Sequence, residues 1–366
     1  MMHPLPDWAE TLEEGGRIGR SELTNRTADI LAAAGVPMPG AAQAAALLVE
    51  CQARGINSHG LAHLPIYLQR IGNGAMDPKA VPAILDTGAA TAVVDGRNGL
   101  GVLVGLAAID EACRRADAIG MGACAVRDSN HFGAAAPLVG RAAGSGFIAL
   151  AFSNAAPTMA PAGGREPILG TNPLAAAFPR AGRQPLIIDM ATSAVARGRL
   201  RQAALRKQVI PADWALDAAG RPTTDAEAAL AGTVQPLGGP KGYALTLMVE
   251  LLCTALSGGR PGYEVLNPHD PAPAAAGVSH LFIALDPRRF AGLDEARSAA
   301  TRLGARIEAS PPGADGIAPR LPGTRSETTA AARARDGIPL TSDLLAHLRK
   351  AVRLVAEMSA RPSFQE

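Results

Sequence analysis

Asp128-Ser129-Asn130-His131-Phe132-Gly133 closes the short apolar run Ala123-Cys124-Ala125-Val126 and leads into Ala134-Ala135-Ala136. The apolar run reads as a buried strand, and the small-residue stretch that continues to Ala143 reads as a helix. A buried strand that passes through Asp, Ser, Asn, His and Gly into a helix delivers polar groups to the mouth of a sheet, where small-molecule sites lie. Ser, Asn and Asp also cap ordinary helices. A second cluster is needed to tell a site from a cap.

Other strand ends supply it. Ile148-Ala149-Leu150-Ala151-Phe152 ends at Ser153-Asn154, and Leu186-Ile187-Ile188-Asp189 runs on into Met190-Ala191-Thr192-Ser193. Three strand ends of one polar character predict a shared pocket. Between them lie a turn-rich stretch over 157–165 and Leu169-Gly170-Thr171-Asn172-Pro173-Leu174. Upstream, Thr91–Asp95 reads as a strand, Gly96-Arg97-Asn98-Gly99-Leu100-Gly101 as a glycine turn and 102–119 as a helix. Strand, glycine turn, helix, strand is the order of a dinucleotide-binding unit, with Asp128 in the place of a ribose ligand. The spacing of Gly99, Gly101 and Gly105 departs from G-x-G-x-x-G, however, and the unit follows a helical preface.

That preface holds helices over 21–34 and 41–54, the second stopped by Gly55. Then comes Ile56-Asn57-Ser58-His59-Gly60-Leu61-Ala62-His63, a second Ser-His pair on irregular backbone. His59 and His63 would share a helix face, but without H-E-x-x-H or a third ligand nearby no metal is expected. Proton transfer by His59 fits better, because imidazole titrates near neutrality and the adjacent hydroxyl can fix its tautomer.

Past a helical segment carrying Arg197, Arg199, Arg201, Arg206 and Lys207, residues 210–236 read as loop. Pro236-Leu237-Gly238-Gly239-Pro240-Lys241-Gly242-Tyr243 opens an apolar helix over 244–256, so glycine N–H groups and one ammonium offer a phosphate or carboxylate site. A strand over 280–285, a helix over 290–309, an extended basic loop over 318–326 and a helix over 342–358 complete the chain. Arginines of the basic loop suit bidentate pairing with phosphate.

Composition sets the class. At 366 residues, 48% of them hydrophobic, the chain exceeds the roughly 250–300 residues at which single cores stop growing, so it divides into substructures. Its 35 basic and 33 acidic residues are interspersed and aromatics are only 3%, which leaves neither a basic stripe nor a stacking platform for nucleic acid. Cys51, Cys113, Cys124 and Cys253 lie far apart without a C-x-x-C pair, as buried free thiols of a reducing compartment do. No stretch reaches the roughly 20 apolar residues of a membrane span, and residues 1–16 lack a secretory apolar segment. A cytoplasmic protein is expected.

In order, Ser58-His59-Gly60 with Tyr67, Asp95-Gly96, Ser129-Asn130-His131-Phe132-Gly133, Gly170-Thr171-Asn172-Pro173, Asp189-Met190-Ala191-Thr192-Ser193 and Gly238-Gly239-Pro240-Lys241-Gly242-Tyr243 form six motifs. Together, over roughly residues 20 to 355, the chain resembles the malate/L-lactate dehydrogenase family that lies outside the Rossmann group. The resemblance implies an α/β protein with a non-Rossmann NAD(P)-binding fold, in which a mixed-sheet α/β domain packs on a helical domain built from both chain ends. It places residues 1–78, 237–262 and 316–366 in the helical part and 79–236 and 263–315 in the α/β part, and it implies a homodimer. It also implies a small carboxylate substrate, either a 2-hydroxy or 2-keto acid or, in some members, a cyclic 2-imino acid.

Carried over residue by residue, the resemblance makes His59 the acid/base, Ser58 its hydrogen-bonding companion, and His131 part of both the reacting site and the cofactor site. Phe132, Gly133, Ala134, Ala135, Ser153, Asp189, Met190 and Ala191 would hold the cofactor. Pro240 and Lys241 would join them from the glycine loop, with Arg320, Leu321, Pro322, Gly323, Thr324 and Arg325 from the basic loop. Those arginines favour NADP over NAD. Thr171, Asn172 and His63 would meet the substrate. Two positions depart from the family pattern: His63 stands where many members carry a carboxylate-gripping Arg, and Arg199 where imine reductases carry an Asp.

Overall fold

The computed structural model describes residues 5–360. Its centre is a seven-stranded mixed sheet in the order Ala83–Asp86, Thr91–Asp95, Met121–Ser129, Val278–Leu285, Ile148–Ser153, Leu174–Arg180, Arg183–Met190. The anticipated strand-helix-strand unit forms from Thr91–Asp95, helix Gly101–Ile119 and Met121–Ser129, and its two strands pair in parallel. The strand beside it does not continue a doubly wound pattern. Val278–Leu285 comes from far down the chain, lies between Met121–Ser129 and Ile148–Ser153, and runs antiparallel to both.

Helix Gly101–Ile119 buries Val104, Ala108, Ile109 and Ala112 against this sheet. That spacing repeats one helical face. The helix starts so close to the opening motif that a Cβ on Gly101 would overlap the carbonyl oxygens of Asn130 and His131. On the other side, the Pro240–Ser257 helix lies through Val249 and Cys253 against Ala125, Phe152 and Leu281.

A second core joins the two ends of the chain. Helices Arg20–Ala33, Met38–Ala53, Leu64–Gly72 and Ser342–Ser359 bury Leu23, Ile30, Leu48, Leu68, Leu348 and Val352 together. Ile18 pairs with Ile338 in a short two-stranded sheet that ties the ends.

Two local expectations are corrected, and one strand that the sequence did not announce is added. Residues 210–236 are organised: Ala215–Leu216 pairs with Thr233–Val234, the Asp225 carboxylate caps helix Ala226–Ala231, and Leu200, Ile210 and Val234 share a small core. Leu174–Arg180 is a strand despite its alanines, because partners on both sides outweigh weak propensity. Its Pro179 sits where the register shifts, a position that needs no ladder N–H. The basic loop ends early, since Thr324, Arg325 and Ser326 already form the first turn of helix Thr324–Asp336.

Candidate active site

Sheet register brings the polar strand ends to one edge. Val278 pairs with Ser129, His280 with Ser153, Phe152 with Leu174, and Leu174 with Met190. A cleft of about 620 Å³ opens along this edge, within the usual size of small-molecule sites. His59, His131, Ser153, Thr171, Asp189 and Met190 line it. Phe132, Gly133, Ala134, Ala135 and Ala191 form more of the wall, with Pro322 and Gly323 from the basic loop.

The other anticipated residues lie around this cleft at different depths. Ser58 is exposed beside His59, and Asn172 is fully buried behind Thr171. Leu321 and Thr324 line a small adjoining recess with Arg54. Pro240, Lys241, Arg320 and Arg325 are exposed and lie outside the cleft.

His59 sits on a single 3-10 turn, Asn57–His59. Its Nδ1 is 2.8 Å from the Ser58 hydroxyl, which leaves Nε2 free. A hydroxyl both donates and accepts, so Ser58 satisfies Nδ1 in either tautomer and lets Nε2 either carry a proton or lack one. Burial holds the imidazole below its ordinary pKa near 6.5, and it is neutral at pH 7.

His131 is arranged differently. Its Nδ1 lies 2.9 Å from the Tyr67 hydroxyl and 3.3 Å from the Gly133 amide. An amide N–H only donates, so Nδ1 must accept and the proton of the neutral ring is on Nε2. Burial, reinforced by the imidazoles of His63, His59, His280 and His269, pushes its pKa well below 6.5. His131 is therefore a fixed donor. Tyr67→Phe removes the stronger of its two supports, and kcat/KM is expected to fall about tenfold, the worth of one ordinary hydrogen bond, with thermal stability little changed. Steady-state kinetics beside a melting curve check this.

A second network supports the wall. The Ser153 hydroxyl donates to the Asn154 carbonyl at 2.7 Å and lies 2.8 Å from Nδ1 of His280. Nε2 of His280 lies 2.9 Å from the Ser129 hydroxyl. Burial pushes this imidazole down to about 3, and the neutral ring ties the three central strands together at the edge of the cleft. Deeper still, Glu250 accepts from Asn172 Nδ2 at 2.8 Å, from the Gly262 amide at 2.7 Å and from Asn154 Nδ2 at 3.3 Å. Asp189 Oδ2 accepts the Ala136 amide at 2.8 Å and so occupies the start of helix Ala136–Gly144. Low-dielectric surroundings raise its carboxyl pKa.

Sequence reading missed Glu250, His280 and Arg54. Glu250 lies in an apolar helix with no motif around it, and its only signal is a buried carboxylate, which rarely occurs unpaired. Ser129 and Ser153 were visible as strand-end hydroxyls. The histidine that joins them was hidden in Val278–Leu285.

The sequence profile of the malate/L-lactate dehydrogenase family matches residues 18–349. The chain belongs to this family. It is 37% identical over 322 residues to an L-sulfolactate dehydrogenase of Methanocaldococcus jannaschii, covering 88% of this chain and 92% of that protein. It is 42% identical over 260 residues to a (2R)-3-sulfolactate dehydrogenase (NADP(+)) of Chromohalobacter salexigens, covering 71% and 78%. The solved structure of a Methanocaldococcus jannaschii sulfolactate dehydrogenase superposes with a TM-score of 0.85 at 34% identity, covering 93% of this chain and 98% of that one. A delta1-piperideine-2-carboxylate reductase of Pseudomonas syringae also superposes, with a TM-score of 0.82 at 32% identity, covering 92% and 99%. As a member of the malate/L-lactate dehydrogenase family the chain is an oxidoreductase with a mixed α/β fold. The glycine turn at Gly99-Leu100-Gly101 packs under Asn130, whose Nδ2 donates to the Gly99 carbonyl at 2.9 Å.

Proposed function

We propose that this protein transfers a hydride between NAD(P) and C2 of a small 2-hydroxy or 2-oxo acid. One observation carries the reading: His59, with a nitrogen free to take or give a proton, and His131, held as a donor, line the same cleft. Oxidising a 2-hydroxy acid needs a base for the hydroxyl proton, and the reverse reaction needs that group as an acid. His59 fills both parts, Ser58 turning its hydroxyl to match. His131 orients the C2 oxygen through Nε2–H, while Thr171 borders the substrate with Asn172 supporting it from behind.

The cleft suits a nicotinamide cofactor. Gly133 has φ +83°, and a Cβ there would lie 3.1 Å from the His59 carbonyl, so the wall beside His59 is bare backbone with room for a flat ring. Bound there, the nicotinamide supplies or takes the hydride. Residues 132–135, Ser153, residues 189–191 and the Pro322-Gly323 turn would hold it, with Leu321 and Thr324 behind that turn and Pro240 and Lys241 reaching in from outside. We favour NADP, because Arg54 lines the cleft, Arg320 and Arg325 flank the turn that closes it, and one relative is named for NADP(+). Arg325→Ala is expected to raise KM for NADPH about tenfold, the loss of a charged contact to a phosphate, and to leave KM for NADH unchanged. Initial rates with both cofactors decide it.

A panel of 2-oxo acids and cyclic 2-imino acids, followed by NAD(P)H absorbance, tests the reaction, and the 2-oxo acids are expected to be the better substrates. A cyclic imine reductase is the second reading, supported by the Pseudomonas syringae relative. Against it, Arg199 stacks on Trp214, 5.1 Å from the ring centre, and does not line the cleft. Tight cofactor binding without turnover of any compound would mark a catalytically impaired homologue.

The direction of the His59 shift fixes a pH dependence. Oxidation uses the neutral imidazole, so its kcat, measured with the acid saturating, is expected to hold down to the lowered pKa and decline only below pH 6.5; reduction uses the imidazolium, and its kcat declines as pH rises. A midpoint above 6.5 for the oxidation limb would contradict this.

A homodimer goes with the same reading. Helix Pro240–Ser257 exposes Leu247, Met248, Leu251 and Leu256 on the side away from the sheet, an apolar patch suited to a second copy. Light scattering after size exclusion measures it. Four unpaired thiols support a reducing, cytoplasmic location. Among the described residues no helix is long and apolar enough to cross a membrane.

A further inference from the structure

A small acid bound beside His59 meets a wall that offers one guanidinium. Among the described residues Arg54 is the only cationic side chain lining the cleft, and it is already paired with Glu50. What stands next to the reacting histidines is another histidine. The ring centre of His63 is 4.2 Å from that of His131 and 5.8 Å from that of His59. Its Nδ1 is buried without a hydrogen-bond partner. In the same cluster, Nδ1 of His59 is taken by Ser58, and that of His131 by Tyr67 and Gly133. Buried polar atoms are normally satisfied, so an orphan packed against the two histidines of the cleft points to a missing ligand.

The position is right for one particular group. A 2-oxo acid carries its carboxylate on the carbon next to the one that reacts, so whatever holds that carboxylate must sit beside the proton-transfer histidine. His63 does. The groups facing it are His59 and the Ser58 carbonyl from the preceding 3-10 turn, Tyr67 from the following helix Leu64–Gly72, His131 from the strand end, His269 from the 265–277 loop, and His347 from helix Ser342–Ser359. None of these is a carboxylate. Burial and the neighbouring imidazoles push the ring down to about 3, and without a ligand it is neutral.

We infer that His63 anchors the substrate carboxylate as an imidazolium formed when the anion arrives, so that binding the acid takes up one proton. This rests on the 2-hydroxy/2-oxo acid reading. An anion in contact with an imidazole favours its charged form and reverses the effect of burial. A permanent guanidinium would bind the carboxylate equally at every pH, whereas His63 makes affinity depend on available protons. Between the low pKa of the empty site and the raised one of the occupied site, affinity should fall about tenfold for each unit of rising pH.

Oxamate, an unreactive 2-oxo acid analogue, serves as probe. Titration calorimetry on the protein saturated with NADPH, in buffers of different ionisation enthalpy at pH 7, is expected to show uptake of about one proton. Kd should rise about tenfold per unit between pH 6 and 7.5. In His63→Arg both the uptake and the pH dependence should vanish, with oxamate bound at least about tenfold more tightly than by the parent at pH 8. His63→Gln, which nearly keeps the volume, should lose the uptake and bind weakly at pH 6. His59→Gln should keep the uptake, which separates the anchor from the proton-transfer residue. A flat Kd in the parent, uptake that survives His63→Arg, or no oxamate binding at any pH would overturn the inference even if 2-oxo acids are reduced. Uptake that depends on His63 in a protein that reduces no acid would leave the anchor standing and bring down the reaction.

Discussion

His59→Ala is expected to lower kcat by about a hundred- to ten-thousand-fold, the range over which a positioned acid/base contributes. The fall should appear with every substrate and in both directions, because one nitrogen receives the hydroxyl proton and returns it. Cofactor affinity, read from quenching of intrinsic or NADPH fluorescence, should change little, since the bare backbone of Gly133 and not the imidazole forms the flat wall. His59 is half-buried on a short turn outside the packed cores, so the variant should melt near the parent temperature. Retention of most of the parent kcat would rule out the assignment.

The second large effect concerns a residue that no substrate touches. Glu250→Ala removes the acceptor of three donors at once: the amides of Asn172 and Asn154 and the backbone N–H of Gly262. Each buried donor left unpaired costs about 1–3 kcal/mol, and partial rescue by water or shifted neighbours leaves an expected loss of roughly 2–5 kcal/mol. Activity should suffer beyond the loss of stability. Asn172 has φ +23°, an uncommon conformation for a residue with a side chain, and its amide is held by Glu250 and the Thr246 carbonyl. Released, Asn172 no longer fixes Thr171 against the cleft. Glu250→Gln offers one donor an opposing NH₂ and should fall between the two. Equal melting temperatures for Glu250→Ala and the parent would contradict this account.

Much of the site was readable because its residues sit in local motifs. Asp128 to Gly133, Ser153-Asn154 and residues 189–191 each announce a strand end, and the structure lines all three up on one cleft. Their common edge was not readable, since it depends on the register of Val278–Leu285 against strands distant in sequence. The strand-helix-strand unit was recognised correctly as local structure. Its resemblance to a dinucleotide unit misleads only at the next strand, where an antiparallel neighbour replaces a parallel one. Leu174–Arg180 was missed because alanine carries almost no strand signal and its pairing is tertiary. Arg325 was read as loop although the sequence after Gly323, Thr324-Arg325-Ser326-Glu327, has the Thr-x-x-Glu spacing of a helix start.

The late central strand also sets an order of events during synthesis. Until residue 285 has been made, the sheet exists as two halves, and Met121–Ser129 and Ile148–Ser153 each present an open edge. Pairing across such distances in sequence is slow to find, and unpaired edges invite association with other chains. The helical body waits longer still, because Ile18 has no partner until Ile338 arrives. The two halves of the sheet therefore stay open-edged while residues 154–277 are made.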